Sequence, residues 1–376
     1  MQIDDINKKK QINYNSDYIA NHFGFDFLDI EEKVFKKNIL VEDEKVKVLK
    51  KFKKDFSSKR VSPLKMFFYK KPILKKSGVD TSLGIDIVNM ESAIAEATVI
   101  KTAIAILKEE GYTEIKVLLN AIGDSESVKS FKTALSKYYR ENKAKLKTVE
   151  AKKIVNDPLA IYHNQGQKEY LNEINQQAPN ALEFLSENSI SHFQEIIEYL
   201  ENFEIDYVID DKMYGEKMFF SKIIFKIMAK GPKDKEPVEV AFGGRYDDIA
   251  QKTVGKKKIS AIGLSLNFNK KNKTKLKLTS KKVNIHLLKI GSTANLKYLD
   301  VVDAFSKIKV PIHYDIKEKK ISKQIKKALD SNADYSIIIG ETEAKKDKAL
   351  IRKMSDYSQQ EVDLKDISSY INKLIK

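Results

Sequence analysis

Apolar positions between Glu91 and Glu110 recur at the spacing of an α-helix. Five of them would share one helix face, namely Ile94, Ala97, Ile100, Ile104 and Leu107, and Gly111 ends the pattern. Apolar runs bounded by charged or breaker residues predict strands, which read "LKMFFYKKPIL", "SLGIDIVN", "EIKVLLNAIGD", "FSKIIFKIMAK", "PVEVAFGG" and "ISAIGLSLNF". This mixture predicts an α/β fold of the α+β kind for the longer, N-terminal part of the chain.

The pattern changes twice along the chain. Residues of about 150–200 are richer in Asn, Gln and Glu and predict a small helical insertion. The charged stretch "NKKNKTKLKLTSKK" has no apolar period and predicts a linker over residues 271–281. After it, the runs "VNIHLLKIG", "VPIHYDI", "YSIIIG", "KALIRKM" and "QEVDL" predict strands that mix with helices over Asn295–Lys307, Ser322–Leu329 and the C-terminus. The sequence therefore predicts two domains, residues 1–270 and 282–376, the second with a mixed α/β sheet.

Composition adds a strong positive charge to this plan. The chain of 376 residues is 42% hydrophobic and 32% charged, and its formal net charge is +16. Such a charge favours a polyanionic partner such as nucleic acid, because neutralised phosphates release counterions. The competing interpretation is a lysine-rich surface that is only solvated. Arginine is scarce, and the chain contains only Arg60, Arg140, Arg245 and Arg352.

Residue types that are absent, and the spacing of those present, argue against several classes of site. The lack of cysteine excludes disulfides and thiolate metal sites and is typical of a cytoplasmic protein. No apolar run approaches a membrane span, and the polar N-terminus lacks the apolar core of a signal peptide. The histidines lack metal-ligand spacing, so we expect no metal site. The pairs Asp210-Asp211 and Asp247-Asp248 are interpreted as surface turns, because adjacent strand residues face opposite ways.

The most informative string is "VEVAFGGRYDDIA", in which a strand runs into Gly243 and Gly244 and then into Arg245 and Tyr246. Two glycines let a backbone lie against a ligand or against a neighbouring strand. Other strings accompany it in a fixed order: "SLGIDIVN", "KVLLNAIGDSES", "NDPLAIYHN", then "AIGLSLNF" and "ADYSIIIGETEAKKDKALIRKMSDYSQQEVDL". Together they resemble the histidyl-tRNA synthetases, a class II aminoacyl-tRNA synthetase family, from about Tyr18 to the end.

The resemblance implies a fold and partners. It implies a class II antiparallel sheet of six or seven strands flanked by helices, an anticodon-binding domain, a homodimer and tRNA as the partner. An active member would use ATP and Mg²⁺. The residues that match the family's histidine and adenylate pocket are Ser82, Asp86, Gly243, Gly244, Arg245, Tyr246 and Lys270. Ser82 stands where the family has a glutamine, and Asp86 where it has a longer acid.

The chain departs from the family where adenylate chemistry needs fixed positive charge. The second-motif strand, Met66 to Lys70, has no arginine, the third motif ends in Asn269 and Lys270, and "KMYGEKMFF" offers only Lys217 near the α-phosphate position. Lysine supplies charge without a bidentate fork. Residues 31–62 match no ATP-binding and histidine-binding segment. These departures indicate a paralogue with degenerate catalytic motifs, for which we assign no catalytic residue.

Three functional hypotheses follow. The leading one is a histidyl-tRNA synthetase-like protein that binds tRNA and is poorly active or inactive in aminoacylation. Lys323, Lys326 and Lys327, on one predicted helix, are its candidate tRNA contacts. The second hypothesis is a divergent but active ATP-dependent histidine–tRNA ligase. The third is a regulatory subunit resembling that of ATP phosphoribosyltransferase, which normally lacks an anticodon-binding domain.

Overall fold

The computed structural model describes residues 15–30, 41–56, 63–75, 78–162, 169–213, 220–255, 258–267 and 283–375. Its helices are α1 Asn15–His22, α2 Val41–Phe56, α3 Ile94–Glu109, α4 Ser125–Glu141, α5 Thr148–Ala151, α6 Pro158–Tyr162, α7 Glu169–Gln176, α8 Glu187–Asn202, α9 Asp247–Val254, α10 Ser292–Lys307, α11 Ile321–Asp330, α12 Glu341–Lys345 and α13 Ile367–Leu374. None of the helices in these ranges has the length and apolar character needed to cross a membrane.

A large sheet organises the N-terminal part. Its strands are β1 Asp26–Phe27, β2 Lys65–Lys75, β3 Gly78–Val88, β4 Thr113–Gly123, β5 Tyr207–Ile209, β6 Ser221–Lys230, β7 Val238–Arg245 and β8 Ala261–Asn267. Their spatial order within the described ranges is β1-β2-β3-β8-β7-β6-β4-β5. The inner strands pair antiparallel with their neighbours. At the two edges, β1 runs parallel to β2, and β5 runs parallel to β4. These two short edge strands enlarge the sheet beyond the six or seven strands expected.

Side-chain alternation gives this sheet two different faces. On β3, Leu83, Ile85 and Ile87 join a core with helix α3, which is almost wholly buried. Ser82 and Asp86 point to the opposite face, as the period of two requires. On that second face lies another core, to which α2 contributes Val48, Leu49 and Phe52. The polar candidates on β3 therefore lie under α2 and away from α3.

A group of helices beside the large sheet has a core of its own. Helices α4 to α7 bury a third cluster that includes Phe131, Tyr139 and Tyr162. Asp124 begins α4, because its side chain accepts a hydrogen bond from the backbone N–H of Ser127. The described part of the predicted insertion, about residues 150–200, is helical, but its packing does not follow those bounds. Helix α4 lies before them and shares the third cluster, whereas Ile196, Tyr199 and Leu200 of α8 pack in the main core.

A second sheet, four-stranded in the described residues, forms near the C-terminus. Its strands pair both parallel and antiparallel and are interspersed with helices, which confirms the predicted mixed α/β fold. Its strands β9 Ile285–Lys289, β10 Tyr335–Ile339, β11 Lys348–Lys353 and β12 Gln359–Asp363 lie in the order β12-β11-β10-β9. The predicted strand "VPIHYDI" is wrong, because only His313 bridges to His286. Pro311 supplies no N–H for a ladder, and Lys309 has a positive φ of 57°. The predicted linker, residues 271–281, lies outside the described residues.

Candidate functional site

The β3 residues of the predicted pocket lie on the sheet face that α2 covers. The α2 side chains Val48, Leu49 and Phe52 pack in one cluster with Phe67 and Tyr69 of β2. This packing removes apolar surface from water and holds α2 against the sheet. The face on which the family's substrates are expected is therefore occupied by the chain's own helix.

Helix α2 also sends a lysine into this face. Lys45 is fully buried, and its Nζ lies 2.8 Å from Asp86 Oδ1 and 3.0 Å from Oδ2. The same ammonium donates to the Tyr69 hydroxyl at 3.1 Å and to the Leu264 carbonyl at 3.4 Å. Nζ also lies 5.7 Å from the ring centroids of Tyr69 and Tyr246. The ammonium thus has acceptors on several sides and two aromatic rings beside it.

Further hydrogen bonds close the network around Lys45. The Tyr246 hydroxyl donates to Asp86 Oδ1 at 2.6 Å. The Tyr69 hydroxyl donates to Glu44 Oε1 at 2.7 Å, and Ser265 Oγ donates to the same oxygen at 2.9 Å. All of these side chains are buried. A polar network of this kind rigidifies a core when its members are satisfied.

Two glycines show how closely this face is filled. A Cβ on Gly84 would lie 2.0 Å from Tyr69 Cζ, and one on Gly263 would lie 1.8 Å from Asp86 Oδ1. The strands accept the tyrosine ring and the carboxylate only because these positions lack a side chain. The space above β3 and β8 is therefore taken by side chains of the protein.

The ionisation of this cluster follows from its burial. Burial raises the pKa of Asp86, while the Lys45 ammonium and the hydroxyl donors oppose that rise. Burial also raises the pKa of Tyr69 and Tyr246 well above the usual value, and the nearby Asp86 adds to both shifts. The two phenols are therefore hydrogen-bond donors at neutral pH.

Arg245 lies in a separate buried ion pair. Its Nε lies 2.6 Å and its Nη2 2.8 Å from the two carboxylate oxygens of Glu96 on α3. Nη1 donates to the Met90 carbonyl at 2.9 Å, and Nη2 to the Glu91 carbonyl at 3.0 Å. The side chain is completely buried. Its donors connect β7 to the start of α3.

The partners of Glu96 lower the pKa of its carboxyl group. Burial alone would raise its pKa, but the charge of Arg245 and a hydrogen bond from His192 lower the pKa to about 2. His192 Nε2 lies 2.8 Å from Glu96 Oε1. The carboxylate thus stays ionised through the physiological range, as a bidentate arginine pair requires.

The remaining predicted pocket residues serve the sheet. A Cβ on Gly243 would lie 2.5 Å from the Gly263 carbonyl oxygen, and one on Gly244 would lie 2.5 Å from that of Ile223. Ser82 Oγ donates to the Leu266 carbonyl at 3.1 Å. Lys270 lies outside the described residues. The structure brings Asp86 and Tyr246 into direct contact and places Arg245 in a different cluster.

One acidic pair differs from its interpretation as a surface turn. Asp247 begins α9 and is buried, with Oδ1 accepting from the Ala261 N–H at 2.9 Å and Oδ2 lying 3.3 Å from Lys222 Nζ. Asp248 beside it is exposed. Asp247 follows β7, and its hydrogen bond to the Ala261 N–H connects it to the start of β8. The alternation of side chains along one strand does not predict this contact.

A cavity of about 910 Å³ lies at the strand ends, between the sheet and the helical insertion. Residues of α4, α9 and the β6 start line it, among them Lys129, Lys132, Lys222, Asp247 and Asp248. The described members of the predicted pocket set are not among its lining residues. This opening is therefore distinct from the filled face under α2.

The three candidate tRNA lysines share the exposed side of α11, but their surroundings differ. Lys327 forms an ion pair with Asp315, and Lys323 Nζ lies 3.5 Å from Glu318 Oε2. Among the described residues, Lys326 has no ion-pair partner. Lys326 is thus the member of the set whose charge is most available to a phosphate.

Glu44 and Lys45 are not among the site residues that the sequence predicts. They lie in residues 31–62, for which no counterpart was found, and they belong to a lysine-rich helix that resembles a solvated surface element. The available signal was the spacing of Val48, Leu49 and Phe52, which gives α2 an apolar face. That spacing predicts packing but does not show which sheet face the helix covers.

Comparisons with known proteins identify the family. A family model described as "Histidyl-tRNA synthetase" matches residues 69–270, and one described as "Anticodon binding domain" matches residues 282–374. A histidine–tRNA ligase of Clostridium botulinum is 27% identical over 326 residues, covering 82% of this chain and 75% of that protein. A chloroplastic histidine–tRNA ligase of Gracilaria tenuistipitata is 26% identical, over 82% of this chain and 73% of its own length.

A solved structure supports the fold. Apo histidyl-tRNA synthetase of S. aureus aligns over 94% of this chain and 93% of its own, with a TM-score of 0.54 and 16% identity. The overall arrangement of elements is therefore similar, while most side chains differ.

Proposed function

Because the chain belongs to the histidyl-tRNA synthetase family, we propose that it binds tRNA on the family scaffold and is poorly active or inactive in aminoacylation. One observation carries this proposal. The face that would hold the amino acid and the adenylate is filled by the buried side chains of Lys45, Tyr69 and Tyr246. Lys45 and Tyr246 each donate to Asp86, and Lys45 also donates to the Tyr69 hydroxyl.

The chemistry of aminoacyl transfer makes this arrangement unfavourable for turnover. Adenylate formation needs a carboxylate held in line with a phosphate and fixed cations for the developing charge. Here Arg245 is committed to Glu96, and the Lys45 ammonium is committed to Asp86. The described residues on this face therefore do not fit ATP, and Asp86 offers Mg²⁺ no free carboxylate. Losing one such donor typically costs about a hundred- to a thousandfold in rate.

Binding of tRNA is supported by different features. The anticodon-binding match spans residues 282–374, and α11 presents exposed lysines on that unit. The net charge of +16 adds long-range attraction for a polyanion. Family members act as homodimers, and we propose the same assembly for this chain.

The two other hypotheses predict different outcomes. A divergent active ligase requires α2 to leave the sheet face, so that ATP, Mg²⁺ and histidine can enter. A regulatory subunit like that of ATP phosphoribosyltransferase would have no use for an anticodon-binding unit, and the match over residues 282–374 counts against it.

Histidine-dependent pyrophosphate exchange on the full chain tests the proposal. We expect no exchange above background, together with tRNA binding that weakens steeply with salt. Exchange at ordinary synthetase rates would refute the inactive form of the proposal. Absence of tRNA binding at low salt would refute its other half.

A further inference from the structure

We propose that the sheet face under α2 is a binding site for a primary ammonium group, and that the chain occupies this site itself with Lys45. The inference rests on the proposed function, because it names the chemical class that the filled face recognises. In this arrangement α2 is an intramolecular ligand of the sheet.

The contacts of Lys45 Nζ define the class of ligand. An ammonium group carries three N–H donors and no acceptor. Around Nζ stand the Asp86 carboxylate, the Tyr69 hydroxyl oxygen and the Leu264 carbonyl oxygen, at 2.8 to 3.4 Å. These three acceptors match the three donors. A guanidinium is planar and carries five donors, so it fits this set poorly.

Neighbouring side chains hold these acceptors in place. The Tyr246 hydroxyl donates to Asp86. Glu44 Oε1 accepts from the Tyr69 hydroxyl and so orients it, and the same oxygen accepts from Ser265 Oγ. The rings of Tyr69 and Tyr246 add attraction for a cation. The site is therefore organised around a positive charge and does not merely tolerate one.

Other lysines of the protein lie in different surroundings. Lys289 Nζ donates to one carbonyl, that of Ile316, and lies over the Tyr298 ring. Lys101 pairs with Asp300, whose side chain is 36% exposed. Among the described residues, the Lys45 site combines a buried carboxylate, a hydroxyl and a carbonyl around one ammonium.

Covalent attachment explains why the protein's own lysine fills the site. The apolar residues Val48, Leu49 and Phe52 hold α2 on the sheet, so the Lys45 ammonium is present at high effective concentration. A free amine or amino acid must displace both the ammonium and the helix. The wild-type chain should therefore bind free amines weakly.

Replacement of Lys45 by Ala tests the proposal on the full chain. It removes the equivalent of n-propylammonium and leaves Asp86 in a cavity, so we expect the Tm to fall by about 5–10 °C. At pH 8 n-propylammonium carries its charge, and tens of millimolar should restore about half of that loss by mass action. The neutral isostere 1-propanol should restore little.

Lys45→Met is the matched control, because it removes the charge and fills most of the volume. This variant should gain no more Tm from n-propylammonium than the wild type does. Equal gains in the Ala and Met variants, or equal gains from propanol and propylammonium, would overturn the proposal.

Lys45→Arg provides a test that does not depend on the stability of the cavity variant. It keeps the charge, but its planar fork mismatches the three acceptors, so its Tm should fall clearly below that of the wild type. Wild-type stability in Lys45→Arg would overturn selectivity for a primary ammonium. None of these readouts involves aminoacylation, so this inference and the proposed function fail through separate measurements.

Discussion

Arg245 and Glu96 form an ion pair in the interior of the N-terminal unit. Both are fully buried, and the arginine also donates to the carbonyls of Met90 and Glu91. Removing one partner of such a pair leaves the other charge uncompensated in the interior. The pair belongs to the stability of the fold, even though Arg245 stands in the motif that resembles a histidine pocket.

Arg245→Met should therefore lower the free energy of unfolding by about 3–5 kcal/mol. Urea denaturation of the variant and of Glu96→Gln gives the two single effects, and the double variant gives their coupling. We expect the double variant to be less destabilised than the sum. An additive double variant, or an Arg245→Met that is as stable as wild type, would show that the pair does not have this role.

Glu96 also predicts a response to acid. Its pKa in the folded state is about 2, below the ordinary 4.5, so its contribution is complete above pH 4.5 and is lost as pH falls toward 2. The contribution amounts to roughly 3 kcal/mol. Unfolding free energies between pH 2 and 5 should show a slope that Glu96→Gln reduces. An unchanged slope in that variant would contradict the assignment.

His22 predicts a second response at milder pH. Burial lowers its pKa from 6.5 to about 4, although Nε2 donates to the Val302 carbonyl at 2.9 Å. Because the unfolded chain takes up the proton first, stability is complete above pH 6.5 and falls by roughly 3 kcal/mol as pH drops to 4. His22→Gln keeps a donor and does not titrate, so it should flatten this part of the profile. A wild-type profile in His22→Gln would contradict the prediction.

At the scale of the element, α11 is the helix on which tRNA binding can be examined. Changing Lys323, Lys326 and Lys327 together to Gln should weaken binding and flatten the slope of log affinity against log salt by up to about one unit per lost phosphate contact. Among single changes, Lys326→Gln should have the largest effect, because Lys323 and Lys327 are already paired with acids.

Filter binding across a salt series measures these effects. Lys137→Gln is the control for the loss of one charge, because Lys137 is an exposed side chain on α4. An equal weakening by Lys137→Gln would mean that net charge, and not the position on α11, drives binding. Selectivity should be modest, since lysine contacts position a backbone and read bases poorly.

At the scale of the whole molecule, the two sheets share a core. Tyr298 and Leu299 of α10 belong to the same cluster as Tyr18 of α1 and Ile104 of α3. His22 bonds to the Val302 carbonyl, and Lys101 Nζ lies 2.6 Å from Asp300. Removal of residues 282–376 would expose this apolar surface. Dimerisation is therefore best measured by light scattering on the full chain, where we expect a homodimer.

The shared core predicts coupled unfolding of the two sheets. Leu299→Ala should lower stability by about 2–5 kcal/mol, as large-to-small core changes do. Hydrogen exchange should show this loss equally for amides of β4 and of β10, which belong to different sheets and contribute to the same core. Unchanged protection in β4 would show that the sheets unfold independently.

The sequence by itself determined the family and the order of the elements. Apolar periodicity located α3 and α11 and most strands, and the ordered motifs around "GGRYDD" carried the resemblance that the comparisons bear out. These features are local, since helix and strand periods are set by neighbouring positions on one element. The strand predicted over "VPIHYDI" failed because pairing needs a partner ladder, which periodicity does not supply.

The tertiary structure alone decided which residues meet. Nothing in the spacing of Lys45, Asp86 and Tyr246 shows that they share one hydrogen-bonded cluster, because they lie on α2, β3 and the end of β7. The same holds for Arg245, which motif analysis placed in a pocket and the structure pairs with Glu96. A motif specifies residue types, whereas their chemistry depends on burial and on partners that arrive from distant parts of the chain.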